Sequence, residues 1–255
     1  MPPSNSKYPP IQPGGSLIVA WQVKNKHILV VGGGEVAAGR IVHTLNADAN
    51  VTVISPSSGL NDEVAHRIAC NQVTHIDRKF TPSDLDDNVD MVLVAVDDPD
   101  ASTKIWQLCK ERRIPANIAD VPSECDFYFG SVHRDGPLQI MVSTNGNGPR
   151  LASMVRKEIA AGLPGGTGEA IENVGRLRRR LREVAGAKGD GPKRMSWISR
   201  VCEVWSLEEL VEMDDEDIEA LLRYYSSDKV PTFEQVRLGD KADAIVFDGS
   251  MGFAC

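Results

Sequence analysis

Long apolar runs are missing from this 255-residue chain. No stretch approaches the ~20 uninterrupted apolar residues that a membrane-spanning helix needs, so none is expected. Paired cysteines are missing too: Cys70, Cys109, Cys125, Cys202 and Cys255 are odd in number, widely spaced and form no CxxC. That argues against a disulfide framework and a cysteine-built zinc site, and for free thiols in a reducing, cytoplasmic compartment. Positive charge is in deficit, with a net charge of −8, which argues against general nucleic-acid binding. No GxSxG elbow, HExxH pair or GK[ST] phosphate loop occurs, so the corresponding hydrolase, zinc-protease and NTPase chemistries are excluded. The first fourteen residues are proline-rich and polar, with neither the apolar core of a secretory signal nor the basic amphipathic pattern of a transit peptide. What is present is the balance of a folded chain, 42% hydrophobic and 25% charged, enough for one large domain or two modest ones.

Between residues 26 and 121, β-branched runs alternate with segments of helical period. HILVVGGG (27–34) reads as a strand ending in glycines. EVAAGRIVHTL (35–45) reads as a helix, with Val36, Ala37, Ile41, Val42 and Leu45 at helical spacing. VTVISP (51–56) is the second strand and LNDEVAHRIAC (60–70) the second helix. VTHIDRKF (73–80) alternates as an edge strand does. MVLVAVDD (91–98) is a buried strand, after which Asp98 caps a helix with Pro99 in its first turn. IPANIADV (114–121) is a fifth strand. Parallel neighbours need crossovers, so this order predicts a doubly wound parallel sheet.

The pattern changes after Asp120. Residues 126–144 read as an antiparallel hairpin turning at Arg134, Asp135, Gly136 and Pro137. A helix then starts at Pro149, with Leu151, Val155 and Ile159 on one face. Glycine-rich joints at 162–168 and 186–192 bracket helical sequence. Ser206 and Glu209 form a capping-box pattern, and a further helix is expected over about 215–225. The last thirty residues carry no assigned structure. Residues 171–200 hold nine basic and three acidic side chains, whereas 201–222 hold none and nine. Two readings fit: solvated helix faces that attract one another, or an arginine helix (RLRRRLR, 176–182) that meets a polyanionic substrate.

Chemistry concentrates at two places. Gly32, Gly34 and Ala37 fit G-x-G-x-x-G/A directly after a strand and at the opening of a helix, the context in which glycine torsions and a helix N-terminus receive a pyrophosphate. The acid expected about twenty residues on is replaced by Ser55 and Pro56, so this feature alone leaves the choice between NAD and NADP open. Ligands of doubly wound sheets sit beyond the carboxyl ends of the strands. Asp120, at the end of the fifth strand where the chain leaves the nucleotide domain, is therefore expected to face a cleft, as a base that takes a proton while a hydride departs. A plain turn aspartate is the competing reading. Tyr225 and Lys229 match Y-x-x-x-K but follow an acidic helix far from the sheet. The five histidines are scattered, His133 included, and no metal site is expected.

Together GGGEVA (32–37), VTVISP (51–56), NIAD (117–120), CDFYFG (125–130) and LQIMVSTNGNGPRLASMVRKEI (138–159) resemble the siroheme synthase family. The likeness is greatest to its stand-alone fungal type, which joins precorrin-2 dehydrogenase and sirohydrochlorin ferrochelatase, and it is strong over about 15–162 and looser beyond. The resemblance implies a Rossmann-like five-stranded NAD-binding domain (15–121), a small α+β dimerisation and active-site segment (122–162) and a helical C-terminal domain (163–255). It implies NAD-dependent oxidation of precorrin-2 to sirohydrochlorin, then insertion of Fe²⁺, a substrate, to give siroheme, by a cytoplasmic homodimer. On it, Asp120 serves both steps. Gly32, Gly33, Gly34, Glu35, Val36, Ser55, Val96 and Asp97 fall at the NAD site, where Ser55 is ordinary for the family. Thr144, Asn145, Arg150 and Arg156 fall at the tetrapyrrole site. The alternatives are a dehydrogenase without chelatase activity and a non-catalytic NAD-sensing module.

Overall fold

The structure, a computed structural model, describes residues 11–86, 88–185 and 190–242. Most of the proline-rich start, part of the second glycine-rich joint, and the tail from 243 to Cys255 lie outside the described residues. The chain divides into two compact units, Met1–Phe129 and Gly130–Cys255.

The first unit is built on five parallel strands, β1 (His27–Val31), β2 (Asn50–Ile54), β3 (Thr74–Ile76), β4 (Met91–Val94) and β5 (Ala116–Ile118), in the order β3-β2-β1-β4-β5. Three helices make the crossovers: α1 (Glu35–Leu45) and α2 (Asp62–Ala69) on the β1 to β3 side, and α3 (Pro99–Arg112) between β4 and β5. Alternation along the strands feeds two cores. Ile28, Val30, Val51, Val53 and Leu93 pack with Ala37 and Ile41 of α1; Leu29, Val31, Ile54, Val92 and Val94 pack with Ile105 and Cys109 of α3. β3 is the edge strand its alternating sequence predicts. Asp98 caps α3, accepting the Ala101 N–H at 3.0 Å, with Pro99 behind it.

The register sets up the site. Val31 pairs with both Ile54 and Val94, and Val94 pairs with Ile118. The carboxyl ends of β2, β1, β4 and β5 therefore stop at one level. Strand order reverses between β1 and β4, and that reversal is where open α/β sheets take their ligands.

In the second unit, β6 (Ser131–Asp135) and β7 (Leu138–Val142) form the expected antiparallel hairpin, followed by α4 (Pro149–Ala161). Then come α5 (Thr167–Val184), α6 (Gly191–Val204), α7 (Leu207–Glu212), α8 (Asp215–Leu222) and α9 (Phe233–Ala242). Leu177, Leu181, Trp197, Val201, Trp205 and Leu221 make their core. The Ser206–Glu209 capping box forms in both directions. The charge contrast resolves into helix pairs: Arg176 meets Asp215 at 3.0 Å and Arg180 meets Glu219 at 2.7 Å. Tyr225 is buried in this bundle, and its hydroxyl donates to Asp190. Burial and that bond push the phenol up to about 12, and the hydroxyl of the Y-x-x-x-K match is engaged by Asp190 inside the bundle.

Candidate active site

The turn from β1 into α1 admits only glycine at its first position. Gly32 has φ +119°, and a Cβ there would lie 2.1 Å from the Ala95 carbonyl oxygen, because the chain leaves β1 directly beside the end of β4. A Cβ on Gly33 would meet Leu60 Cδ2 and Ser55 Oγ, each at 2.7 Å. Gly34 differs: a Cβ there meets nothing within 4 Å. The third glycine thus borders open space over the helix N-terminus. No side chain caps that end of α1, and Glu35 and Val36 are exposed. Unpaired N–H groups facing open space at a helix N-terminus are suited to a pyrophosphate.

Beside this turn a cavity of about 570 Å³ opens at the crest of the sheet, lined by Gly32, Ser55, Pro56, Phe80, Val96 and Ile105, with Lys79 and Lys104 among its polar groups. Ser55 is 5% exposed. Its hydroxyl donates to the Pro56 carbonyl at 3.3 Å, and its own carbonyl accepts from His75 Nε2 at 2.8 Å. Asp77 accepts from the Ser57 amide and hydroxyl at 2.7 and 2.6 Å, bonds that hold its carboxyl below the usual range. Asp97 follows Val96 and is exposed. The structure thus gathers Gly32, Ser55 and Val96 around one crevice.

Asp120 stands outside that lining, beyond β5. The strand is shorter than its sequence predicts because the chain turns at Asp120, whose φ of 61° is left-handed. Asp and Asn tolerate that region better than most residues. The turn is tied at both ends, by Ala119 N–H to the Val94 carbonyl at 2.9 Å and Val121 N–H to the Ile118 carbonyl at 3.4 Å. The segment after it folds back along β5. Ala116 N–H donates to Asp126 at 3.0 Å, Lys110 pairs with the same carboxylate at 2.7 Å, and Asn117 Nδ2 donates to the Phe127 carbonyl at 2.7 Å. Cys125 Sγ lies 3.1 Å from the Ile118 carbonyl and 3.3 Å from that of Val121; burial, the largest effect on it, pushes the thiol up. The NIAD and CDFYF segments thus form one clamp that holds the aspartate at the tip of a turn. Asp120 is exposed, and its carboxylate makes no hydrogen bond or ion pair among the described residues. It is held by its backbone while its acid stays free to act, which is the arrangement a base requires.

Arg40 of α1 belongs to this neighbourhood and carries no motif. Its guanidinium carbon lies 4.0 Å from the Phe129 ring centroid. Burial is the largest effect on it and lowers its pKa, while Cys125 and Asp120 act the other way. His43, one turn on, tilts over the same ring at 5.6 Å, and burial with the nearby Arg40 charge lowers its pKa.

The remaining candidates lie in the second unit, at the start of α4 and along it. Thr144 Oγ1 accepts the Gly148 N–H at 3.1 Å. Asn145 has φ 52°, and its N–H donates to Ser143 Oγ at 3.2 Å. Arg150 is exposed in the first turn of α4, and Arg156 Nε donates to Ser131 Oγ at 3.0 Å. Among the described residues no group of three or more His, Cys, Asp and Glu side chains is placed to hold a metal ion.

A parallel sheet with a glycine-only crossover at its switch point and an uncapped helix beside a crevice defines the class: a Rossmann-like NAD(P)-binding protein. An NAD(P)-binding family matches residues 19–131, and the central and C-terminal families of sirohaem biosynthesis proteins match 135–161 and 164–231. The chain is 54% identical over 231 residues to the siroheme biosynthesis protein met8 of Schizosaccharomyces pombe, covering 91% of this chain and 87% of that one. It is 36% identical over 164 residues to a siroheme synthase of Thioalkalivibrio sulfidiphilus, covering 64% of this chain but 33% of that longer protein. The solved structure of SirC, a precorrin-2 dehydrogenase, shares the fold, with a TM-score of 0.60 over 88% of this chain and 100% of its own at 19% identity. The chain belongs to the siroheme biosynthesis protein family.

Proposed function

We propose that this protein oxidises precorrin-2 to sirohydrochlorin with NAD and then inserts Fe²⁺ to give siroheme, with Asp120 as the proton acceptor in both steps. The observation that carries the reading is an exposed carboxylate, free of partners among the described residues, held on a left-handed turn beyond β5. Bound nicotinamide supplies the two-electron acceptor. When the substrate loses a hydride, one proton must also leave for the new double bond to form, and Asp120 takes it. In chelation Fe²⁺ replaces two pyrrole N–H protons, and the same carboxylate receives them in turn. A lone carboxylate makes no stable iron cage, and that suits a chelatase, whose metal departs with the product.

Gly32, Gly33, Gly34, Glu35 and Val36 would hold the pyrophosphate, with Ser55, Val96 and Asp97 along the crevice. NAD is favoured over NADP by the charge of Asp77, which follows β3 and bonds Ser57 just past the end of β2, on the side where the ribose hydroxyls are read; Lys79 and Lys104 oppose this preference. A lower Kd for NADP than for NAD would overturn it. Thr144, Asn145, Arg150 and Arg156 would meet the carboxylate-rich tetrapyrrole, the arginines through charge-assisted hydrogen bonds. The protein acts as a homodimer. Leu151, Met154, Val155 and Ile159 of α4 are 40–56% exposed, and an apolar stripe of this kind is covered most simply by a second copy. The free thiols of Cys70, Cys109, Cys125 and Cys202 fit a reducing cytoplasm.

The test supplies purified protein with precorrin-2 and NAD and follows NADH at 340 nm. Turnover above the buffer rate is expected, and its absence overturns the dehydrogenase reading. Fe²⁺ added to sirohydrochlorin is expected to be inserted faster than in buffer. No acceleration removes the chelatase step alone.

A further inference from the structure

Other half-buried arginines have polar partners: Arg67 meets Glu63 at 2.8 Å, Arg176 meets Asp215 at 3.0 Å, Arg200 pairs with Asp228, and Arg156 donates to Ser131 at 3.0 Å. Arg40 is different. It is half-buried on α1, stacked on Phe129, and among the described residues its guanidinium makes no hydrogen bond or ion pair. A partly desolvated cation without an anion is unfavourable, and the ring face offsets only part of that cost. The acid that influences it, Asp120, acts on it through space and not through contact. The other groups facing Arg40 are the Cys125 thiol and the His43 imidazole, neither of which brings a fixed negative charge.

We propose that Arg40 binds a carboxylate side chain of the tetrapyrrole and so seats the ring against Asp120. This rests on the function proposed above and deepens it. A guanidinium held flat on an aromatic ring still presents its N–H edge, which accepts a carboxylate in a two-point bond. Because Phe129 and α1 fix the plane of that edge, one substrate carboxylate pinned there orients the macrocycle beside the base. The anchor accounts for a cation that is otherwise left half-desolvated and unmatched.

Sirohydrochlorin is titrated by absorbance into the wild-type protein, Arg40→Gln, Arg40→Lys and Arg40→Met, without NAD, and steady-state oxidation of precorrin-2 is measured at saturating NAD. Expected are a Kd for sirohydrochlorin and a KM for precorrin-2 about tenfold higher or more in Arg40→Gln, the loss of one good ionic contact. Arg40→Lys should recover part of the affinity, and the Kd for NAD should stay unchanged. Arg40→Met keeps an apolar stem on Phe129 without the charge, so if Arg40→Gln melts early, Arg40→Met gives the reading. Unchanged tetrapyrrole affinity in Arg40→Met or Arg40→Gln overturns the proposal. So does a fall in kcat at constant KM with the acidic limb of the pH profile moved upward, since Arg40 would then act only on the Asp120 charge. Failure of the wild type to form NADH is a different outcome: it sinks the function on which the anchor rests, whatever Arg40 does to binding.

Discussion

Two helices of similar length, α1 and α4, treat their apolar residues in opposite ways. α1 buries Ala37, Ala38 and Ile41 against the sheet of its own unit, and the only large apolar side chain it leaves well exposed is Val36, beside the open space at Gly34. α4 buries Ala152 and leaves Leu151, Met154, Val155 and Ile159 exposed. A five-stranded sheet covers a helix completely, whereas a two-stranded hairpin is too narrow to do so. The first unit therefore completes its own core around the crevice, whereas the hairpin–helix segment leaves an apolar stripe open, the stripe that the proposed homodimer would cover. Under the function proposed above, exposure has two meanings: a single exposed residue at a helix N-terminus would border the ligand, and a stripe would be the dimer interface.

The sharpest way to break the first half of the comparison is Gly32→Ala. The added Cβ would stand 2.1 Å from a backbone carbonyl at φ +119°, so strain of several kcal/mol, about 3 or more, is expected in a rigid turn. Calorimetry should show a lower Tm, with NAD binding lost; Gly34→Ala, with open space above it, should keep the Tm and weaken only NAD. The second half is tested by Leu151→Glu with Val155→Glu. Light scattering should show the dimer dissociating, at least about a hundredfold in Kd for two charges buried in an apolar interface, while far-UV circular dichroism stays unchanged. A dimer that survives both charges places the interface elsewhere. The smallest effect concerns the Arg78–Asp84 pair, which flanks the Lys79, Phe80 and Pro82 wall of the crevice. Asp84 is buried, and the Arg78 hydrogen bond, the largest effect on it, holds its carboxyl below the usual range. A depressed folded-state pKa contributes stability that is present above the unfolded value of about 4 and lost as pH falls through the folded one. Asp84→Asn should lower stability at pH 7 by about 1 kcal/mol through loss of the charge-assisted bond to Arg78 and should flatten the acid limb of a stability–pH curve. An acid limb identical to wild type contradicts the assignment.

The sequence shows some of these features directly and hides others. The five strands, their alternation with helices, the cap at Asp98, the hairpin and the capping box at Ser206 are local patterns and are legible. So is the Leu151, Val155, Ile159 face of α4, although nothing in its spacing says whether a protomer's own core or another chain covers it. β5 is three residues long where eight read as strand, because only Ala116–Ile118 find partners on β4 before the turn. The clamp made by Asn117, Cys125 and Asp126 appears in sequence only as two family motifs. Its hydrogen bonds span 7–16 residues and depend on the chain folding back. Arg40 was invisible for the same reason. It lies on a helix face like any other arginine until Phe129, 89 positions later, comes beneath it. The basic run 176–182 shows the converse: two of its arginines are spent on Asp215 and Glu219, pairs that sequence can propose but not assign.

The most direct measurement on the central claim replaces Asp120 with Asn, which keeps a residue that tolerates the left-handed turn and removes only the proton acceptor. With precorrin-2 and saturating NAD, NADH formation should fall about 10²- to 10⁴-fold, as for loss of a general base, while the NAD affinity and the Tm stay at wild-type values. Turnover within a few-fold of wild type would contradict the account and leave Asp120 a turn residue.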